Sequence, residues 1–236
     1  MAKIAYSPLV NEVSGKMGTV VFSKAKNGPT ARVKASVRNP KSAAQRAVRG
    51  YLSKAAKTFE SMTPAQADVW NQYGATLTKH NPVTGETYAL SGISAFVELS
   101  TKLLQFNPTA TLPLTPPATE FTGDVITMTA LAGTGQVTFT ASAQNTLGVV
   151  TEVLLQKLPG RNRKPNPNGY THAGFKAFMS GDLDLVVSVP AGYYAAAYRF
   201  VKANTGQESE PVALPIQTVT LSVSDDGPAP TKKKAA

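Results

Sequence analysis

The sequence predicts an α+β protein, with a β-hairpin and three helices in its first half and a seven-strand β-sandwich in its second. Capped, helically periodic runs fill the first half, and seven β-type runs punctuated by Gly, Pro and Asn fill the second. The segment between them, NPTATLPLTPPA, has four prolines and no charge, a composition typical of an extended linker. We therefore expect an attachment module at 1–106, a linker at 107–118, a sandwich at 119–224 and a flexible tail at 225–236.

The first predicted element is the hairpin. Residues 19–23 and 31–37 form β-branched or alternating runs, and Lys-Asn-Gly-Pro separates them. Asn27 and Gly28 tolerate positive φ, while Pro29 cannot donate to a ladder, so the pattern favours a turn between two strands.

Three helices follow the hairpin. Asn39 is the expected cap of the first, with Pro40 at its first position, and the helix should run to about Glu60. Thr63 begins a capping box that predicts the second helix, and Ser91 should cap the third. The helices are rich in alanine, so their core is small, and we expect this half to complete its core against a partner.

The sandwich is predicted from seven runs of β-branched and aromatic residues. Along one of them, Val137, Phe139 and Ala141 alternate with polar residues, as expected of a strand with one buried face. The runs are VITMTAL, GQVTFTASA, VVTEVLLQKL, FKAFMS, DLDLVVSV, YYAAAYRFVKA and VALPIQTVTLSV. Seven short strands in about one hundred residues favour a sandwich.

The positive charge lies in one part of the chain. Residues 1–60 hold twelve Lys or Arg against only Glu12 and Glu60, whereas the remaining 176 residues balance at twelve against twelve. Such asymmetry marks a segment that meets an acidic partner, or a surface that only keeps the protein in solution. The residues predicted to bind the partner are Lys24, Lys26, Arg32, Lys34, Arg38, Arg46 and Arg49.

A second candidate surface is the segment PGRNRKPNPNGYTHAG, between the third and fourth β-type runs. It carries Arg161, Arg163, Lys164 and Tyr170, and it is too long and polar for a tight hairpin. Two interpretations stay open: contact with an acidic protein surface or a sugar, and a solvated loop without a function.

Three stretches of the first half share a recurring pattern: SGKMGTVVFSKAKNGPTARVK, RNPKSAAQRAVRGYL and LTKHNPVTGETYALSGISAFVELSTKLL. In this pattern they resemble a loose family of bacteriophage proteins of unassigned function. The matching positions are Gly15, Gly18, Asn39, Pro40, Ser42, Gln45, Arg49, Trp70, Gly92 and Phe96. The resemblance covers residues 10–106 and implies a component of a virion, made in the host cytoplasm.

The segment PAGYYAAAYRFVKANTGQESEPVAL resembles the end of a fibronectin type III domain, a sandwich of the Ig-like kind. There, a Tyr-containing strand precedes a Gly-bearing hairpin and a Ser-Glu-Pro start of the last strand. The matching positions are Tyr194, Tyr198, Gly206, Ser209 and Pro211. The resemblance implies a tyrosine corner at one of the two tyrosines.

Enzymatic chemistry is not expected. The chain has no cysteine, and His80 and His172 lie in different halves, each without an acidic neighbour arranged to orient a base or complete a ligand set. We expect no catalytic residue, no metal and no cofactor. No run is long and apolar enough to span a membrane, so a membrane partner is not expected either.

Two functions remain. In the first, the basic module attaches to capsid or tail proteins of a virion, in multiple copies or as a homo-oligomer, and the sandwich is displayed as in a capsid decoration or tail protein. In the second, the basic segment binds DNA without sequence specificity. Residues 23–50 contain no aromatic residue, which disfavours stacking on single strands but decides only weakly between the two functions. The attached sandwich, the proline-rich linker and above all the resemblance to phage proteins favour the first function and make nucleic acid the secondary candidate.

Overall fold

The structure, a computed structural model, describes residues 2–3, 13–25, 28–34, 41–80 and 85–221, with the backbone alone described for 2–3, 24–25 and 28–29. The chain divides into two compact units, Met1–Gln45 and Arg46–Ala236. The first unit is a small sheet. The second contains the helices and the predicted sandwich, so the two halves of the sequence meet within one unit.

Four strands form the sheet of the first unit in the order β1-β4-β3-β2. Their bounds are Ala2–Lys3 (β1), Gly15–Met17 (β2), Val20–Ala25 (β3) and Gly28–Val33 (β4). The predicted hairpin is β3 with β4, and two short strands extend it. Strand β4 begins at Gly28 and pairs Pro29 with Lys24, so the placement of Gly28 and Pro29 in the turn was wrong.

The sheet of the first unit has two unlike faces. Residues paired across antiparallel strands point to the same side, and successive residues alternate. The register therefore places Met17, Val20, Phe22, Ala31 and Val33 on one side, the apolar sheet face. The opposite side, the cationic sheet face, carries Lys16, Val21, Ser23, Thr30 and Arg32.

Helix α1 covers Ala43–Glu60, α2 covers Pro64–Thr76 and α3 covers Gly92–Phe106. The start predicted for α1 was wrong by three residues. Lys41 has a positive φ of 49°, which is not helical, and the Ser42 hydroxyl accepts from the Gln45 amide, so Ser42 lies where a cap residue lies. Asn39 and Pro40, the predicted cap and first residue, lie outside the described residues.

The predicted caps of α2 and α3 are confirmed. Thr63 accepts from the Gln66 amide while the Gln66 side chain accepts from the Thr63 amide, which completes the capping box. Ser91 accepts from the Ser94 amide at the start of α3. Between α2 and α3, β5 (Thr78–His80) pairs with β6 (Thr87–Ala89).

A core of aromatic and aliphatic side chains joins the three helices. Trp70, Phe96 and Leu104 are fully buried, and the Trp70 ring meets the Phe96 ring edge to face, with 5.0 Å between centroids. The predicted linker packs on this core, because Leu112 is buried and the Trp70 indole N–H donates to the Leu114 carbonyl. The proposed domain boundaries themselves stay a prediction.

The second half forms two antiparallel sheets, one with the order β11-β8-β7 and one with the order β10-β9-β12-β13, in which β14 also pairs with β12. The bounds are Met128–Ala132 (β7), Gln136–Ala141 (β8), Val149–Leu158 (β9), Thr171–Lys176 (β10), Asp184–Ser188 (β11), Gly192–Lys202 (β12), Val212–Ala213 (β13) and Gln217–Val219 (β14).

The two sheets share one core, which makes the second half a β-sandwich. The three-stranded sheet contributes Val137, Phe139 and Ala141, as their alternation predicted, and the five-stranded sheet contributes Val153 and Tyr198, among others. The overall class is α+β, as predicted.

The described residues contain eight strands in the second half rather than seven. The last predicted run divides at Pro215 into β13 and β14, because proline cannot donate a hydrogen bond to the ladder. Both strands pair with the same side of β12. The fourth predicted run, FKAFMS, was placed too late. Strand β10 begins at Thr171, and a register shift between His172 and Gly174 accommodates its polar start.

The five-stranded sheet is buried on both faces at its centre. Its face away from the sandwich core, the outer face, carries apolar residues that are at most 7% exposed: Val150, Leu154, Ala195, Ala197 and Val201. Helix α3 packs on this side, since a Cβ on Gly206, in the turn after β12, would lie 2.1 Å from the Leu99 carbonyl oxygen. The fold therefore has three layers: helices, five-stranded sheet and three-stranded sheet.

Across the described parts of the chain, α1, α2 and α3 are each too short or too polar to cross a membrane.

Candidate functional site

A group of charged residues lies on the outer face of the five-stranded sheet. The register of β9 and β12 places Glu152 directly opposite Arg199, and the Arg199 Nε donates to Glu152 Oε2 over 2.6 Å. On the edge strand β10, His172 pairs with Leu154 and therefore lies diagonally across from Glu152. Its Nδ1 is 2.8 Å from Glu152 Oε1.

Helix α3 adds a cation to the same place. The Lys102 Nζ donates to Glu152 Oε2 over 2.8 Å and lies 2.9 Å from Glu208 Oε1, while Arg199 Nη1 also bonds Glu208. We call this set of five residues the ionic cluster: Lys102, Glu152, His172, Arg199 and Glu208. It joins one helix, three strands of the sheet and the turn after β12.

The ionic cluster shifts the pKa values of Glu152 and Lys102. Burial alone would raise the pKa of Glu152, but hydrogen bonds from His172 and Arg199 and the charge of Lys102 outweigh burial and lower that pKa from 4.5 to about 2. Burial lowers the pKa of Lys102, and the Glu152 carboxylate opposes this effect. Glu152 is only 1% exposed, so the stability of its charge depends on these partners.

The ionic cluster lies along an open groove of about 390 Å³ between α1, α3 and the outer face. The groove is lined by Leu52, Val97, Glu98, Thr101, Lys102, Gln105, Glu152, Leu154, Tyr170, His172, Arg199 and Glu208. Of its three carboxylates, Glu152 and Glu208 bond the cations Lys102 and Arg199. Glu98 pairs with Lys79 instead. The ionic cluster therefore holds the helical layer on the sheet, and Lys102, Arg199, Glu152 and Glu208 neutralise one another in these pairs.

The expectation that His172 has no acidic neighbour was wrong, because Glu152 contacts it in the folded protein. Glu152 belongs to the adjacent strand, twenty residues earlier in the chain, so local sequence could not show the contact. A signal for the cluster did exist: Arg199 interrupts the apolar run AAAYRFV, Glu152 lies within the β-type run VVTEVLL, and Lys102 directly precedes Leu103 and Leu104. Charges on buried positions of separate elements require one another as partners.

The predicted attachment residues lie partly within the described residues. Arg46 and Arg49 are exposed and three positions apart in the first turns of α1, so they share one side of the helix. Arg32 and Lys34 are exposed at the end of β4 and just beyond it. Lys26 and Arg38, together with the side chain of Lys24, lie outside the described residues.

The predicted sandwich loop divides into a cationic tip and a packed base. Arg161, Arg163 and Lys164 are exposed. Toward its end the loop is held by Gln156, whose Oε1 accepts from the Asn166 amide over 3.0 Å, and a single 3₁₀ turn covers Pro167–Gly169. Tyr170 lines the groove beside His172, whereas the three cations do not, so the structure does not bring the predicted aromatic and cationic residues into one site.

Of the two candidate tyrosines for a tyrosine corner, Tyr194 has the geometry. It lies near the start of β12, and its hydroxyl donates to the Pro190 carbonyl over 2.9 Å, four residues upstream. Within the described ranges, no group of three or more His, Asp or Glu side chains could hold a metal ion.

No protein-family model matches the chain, and no curated protein matches it. Among solved structures, a fibronectin type III domain of human fibronectin type III domain containing protein 3 is 10% identical, covers 48% of this chain and all of that chain, and superposes with a TM-score of 0.29. Fusolin spindles of Wiseana spp entomopoxvirus are 10% identical, with 81% and 85% coverage and a TM-score of 0.29.

A CBM33 of Bacillus amyloliquefaciens in complex with Cu(I) is 18% identical, covers 39% of this chain and has a TM-score of 0.28. The match spans 56% of the Bacillus chain, little more than half of its length. Likenesses this slight carry no argument about what the present chain does. The candidate surfaces are therefore interpreted from their own charges and packing.

Proposed function

We propose that the chain is a non-enzymatic structural protein of a bacteriophage virion, which attaches to a viral protein assembly through its N-terminal segment and displays a β-sandwich. The observation that carries the proposal is the charge of residues 1–60, which include twelve Lys or Arg and only two Glu. Among the described cations of this segment, Arg32, Lys34, Arg46 and Arg49 are exposed. The resemblance of residues 10–106 to phage proteins gives the context.

A protein partner suits this segment better than DNA does. The exposed cations Arg32, Lys34, Arg46 and Arg49 fit an acidic protein surface or a phosphate backbone equally well. The N-terminal sheet also exposes an apolar face, and apolar surface adds to protein contacts while it adds nothing to phosphate contacts.

The finer identity of the sandwich is also proposed here, as a domain of the fibronectin type III kind. Two features support it: the division of strands β7, β8 and β11 from strands β9, β10 and β12, and the tyrosine corner at Tyr194. Such a domain, standing on the helical layer, suits display. The cationic tip of its loop at Arg161, Arg163 and Lys164 is the proposed contact of the displayed domain.

Add-back to particles tests the attachment. Particles that lack the protein are incubated with wild type, with a variant carrying Arg32→Gln, Arg46→Gln and Arg49→Gln, or with a matched variant carrying Arg161→Gln, Arg163→Gln and Lys164→Gln. Both variants lose three positive charges. Quantitative mass spectrometry should show normal occupancy for wild type and the loop variant, and clearly reduced occupancy for the N-terminal variant.

DNA binding, measured with the same three proteins, separates the alternative function. We expect weak binding without sequence preference at physiological salt, with a Kd no tighter than about 10⁻⁶ M. Tight DNA binding with a log-affinity slope of about −0.9 per phosphate contact, together with no recovery on particles, would instead establish the DNA-binding function.

A further inference from the structure

The groove beside the ionic cluster also contains neutral hydrogen-bonding groups. Among the described residues, the side chains of Gln105 and Tyr170 have no hydrogen-bond partner, and the buried Thr101 hydroxyl has none either. His172 uses only its Nδ1, which bonds Glu152. We call these four groove residues the neutral set: Thr101, Gln105, Tyr170 and His172. A buried hydroxyl without a partner is destabilising, and a ligand group that bonds it removes that cost.

The His172 ring is held in one orientation. Its Nδ1 lies 2.8 Å from Glu152 Oε1, and the ring packs on the Phe175 ring with 4.4 Å between centroids. Because a carboxylate only accepts, Nδ1 carries the hydrogen, and Nε2 of the neutral imidazole is then an acceptor. The His172 side chain is 46% exposed and lines the groove, so Nε2 is free to accept from a ligand hydroxyl.

The charges of the ionic cluster disfavour an ionic ligand in this groove. Lys102 and Arg199 both bond Glu152 and Glu208. An anion would have to displace the carboxylates of the protein from these cations, and a cation would have to displace Lys102 or Arg199 from the carboxylates. A neutral ligand with several hydroxyl groups displaces neither, and it can bond both the donors and the acceptors of the neutral set.

The walls of the groove combine apolar and polar surface. Helices α1 and α3 contribute Leu52 and Val97, and the side of the sheet contributes Leu154 and the ring of Tyr170. At about 390 Å³ the groove is in the size range of small-molecule sites, which join apolar and aromatic walls to a few polar groups. A sugar ring has apolar C–H faces and hydroxyl groups around its edge, so it matches the walls and the neutral set together.

We propose that this groove binds a neutral saccharide. The Tyr170 ring packs against a C–H face of one sugar ring, while Gln105 and Thr101 bond its hydroxyl groups. His172 Nε2 accepts from a further hydroxyl. The sequence left two partners open for the loop that includes Tyr170, and a sugar is the one that fits the groove. The site lies within the unit Arg46–Ala236, so it does not rest on the attachment proposed above.

Two-dimensional NMR titration of the full chain tests the proposal, with three neutral probes: maltohexaose, cellohexaose and chitohexaose. At least one should bind with a Kd of about 1 mM or tighter, and its largest amide shifts should lie in α3 and at the start of β10. Tyr170→Ala should weaken this binding about tenfold or more, and Gln105→Ala about threefold or more. The matched controls are Tyr88→Ala and Gln144→Ala, which remove exposed side chains of the same kinds outside the groove and should leave the Kd unchanged.

Hexagalacturonate, which carries a carboxylate on each ring, is the charged control and should bind the groove no more tightly than the neutral probes do. Failure of all three neutral probes to bind would overturn the proposal. Tighter binding of hexagalacturonate in the groove, largest shifts elsewhere, or equal losses in groove and control variants would overturn it as well. The spectrum of each variant verifies that its fold is kept. The titration needs no particles and no DNA, and loss of attachment with intact sugar binding would count against the proposed function alone.

Discussion

Glu152 links the helices to the five-stranded sheet through its ion pair with Lys102 of α3. It is 1% exposed and accepts from Lys102, His172 and Arg199. A buried carboxylate is costly unless it is fully paired, and removing one partner of such a pair leaves the other charge uncompensated.

Replacing Glu152 by its isostere should therefore cost much more than replacing an exposed glutamate. We expect Glu152→Gln to lower the free energy of unfolding by about 3–5 kcal/mol. The control is Glu98→Gln, which removes a 2.7 Å pair with Lys79 whose side chains are 45% and 53% exposed, and should cost about 0–1 kcal/mol. Urea denaturation measures both, and equal effects would contradict the role given to the ionic cluster.

The stability that the Glu152 carboxylate contributes should depend on pH. The pKa of Glu152 falls from 4.5 to about 2 on folding, so its stabilisation is complete above about pH 4.5 and is lost as pH falls toward 2. This corresponds to roughly 3 kcal/mol. The difference in unfolding free energy between wild type and Glu152→Gln should narrow between pH 5 and about pH 3, and a constant difference would be inconsistent with the lowered pKa.

At the scale of elements, the turn after β12 is fixed by a glycine. Gly206 has a φ of +75°, and a Cβ there would lie 2.1 Å from the Leu99 carbonyl oxygen of α3. Gly135 has a similar φ of +67°, but a Cβ there would meet nothing within 4 Å. The two positions share the backbone conformation that favours glycine and differ in the contact with the helix.

Gly206→Ala should therefore destabilise the protein more than Gly135→Ala does. The backbone conformation alone should cost about 1–2 kcal/mol at either position. Displacing α3 should add about 1–3 kcal/mol at Gly206. Thermal unfolding of both variants measures the difference. Equal melting temperatures would mean that the turn moves away from α3 without cost.

Local sequence signals predicted the helices and strands better than they predicted the contacts between them. The caps at Thr63 and Ser91 depend on residues three positions apart, so they could be read from the sequence. The start of β10 could not be predicted from the sequence, because its polar residues become part of a strand only by pairing with β9. For the same reason the ionic cluster was missed: its members come from separate elements, and the register that joins Glu152 to Arg199 exists only in the folded sheet.

At the scale of the whole molecule, the packing changes what is expected of fragments. Sequence composition alone favoured a sandwich that folds by itself once the segment 107–118 is cut. In the structure, the outer face of the five-stranded sheet is buried, and Glu152 relies on Lys102 of α3. The sandwich without helices would expose apolar surface and an underpaired carboxylate.

We therefore expect the fragment 41–221 to unfold cooperatively as a soluble protein, and the fragment 119–221 to be markedly less stable or to aggregate. Circular dichroism melting curves and sedimentation velocity compare the two. If 119–221 is monomeric and melts at the same temperature as 41–221, the helices are a separate domain. That result would also support the boundaries predicted from composition.

Strands β9 and β12 are buried on both faces of their sheet, and this limits where the protein could be divided and fused to other proteins. A gene fusion made within 107–118 would carry the sandwich away as a cassette but leave α3 behind, with Lys102 on one product and Glu152 on the other. Each chimaera would then need a new helix or sheet that offers the opposite charge at a matching depth. The breakpoint that keeps both partners lies before α1, so the transferable segment is the three-layered unit as a whole.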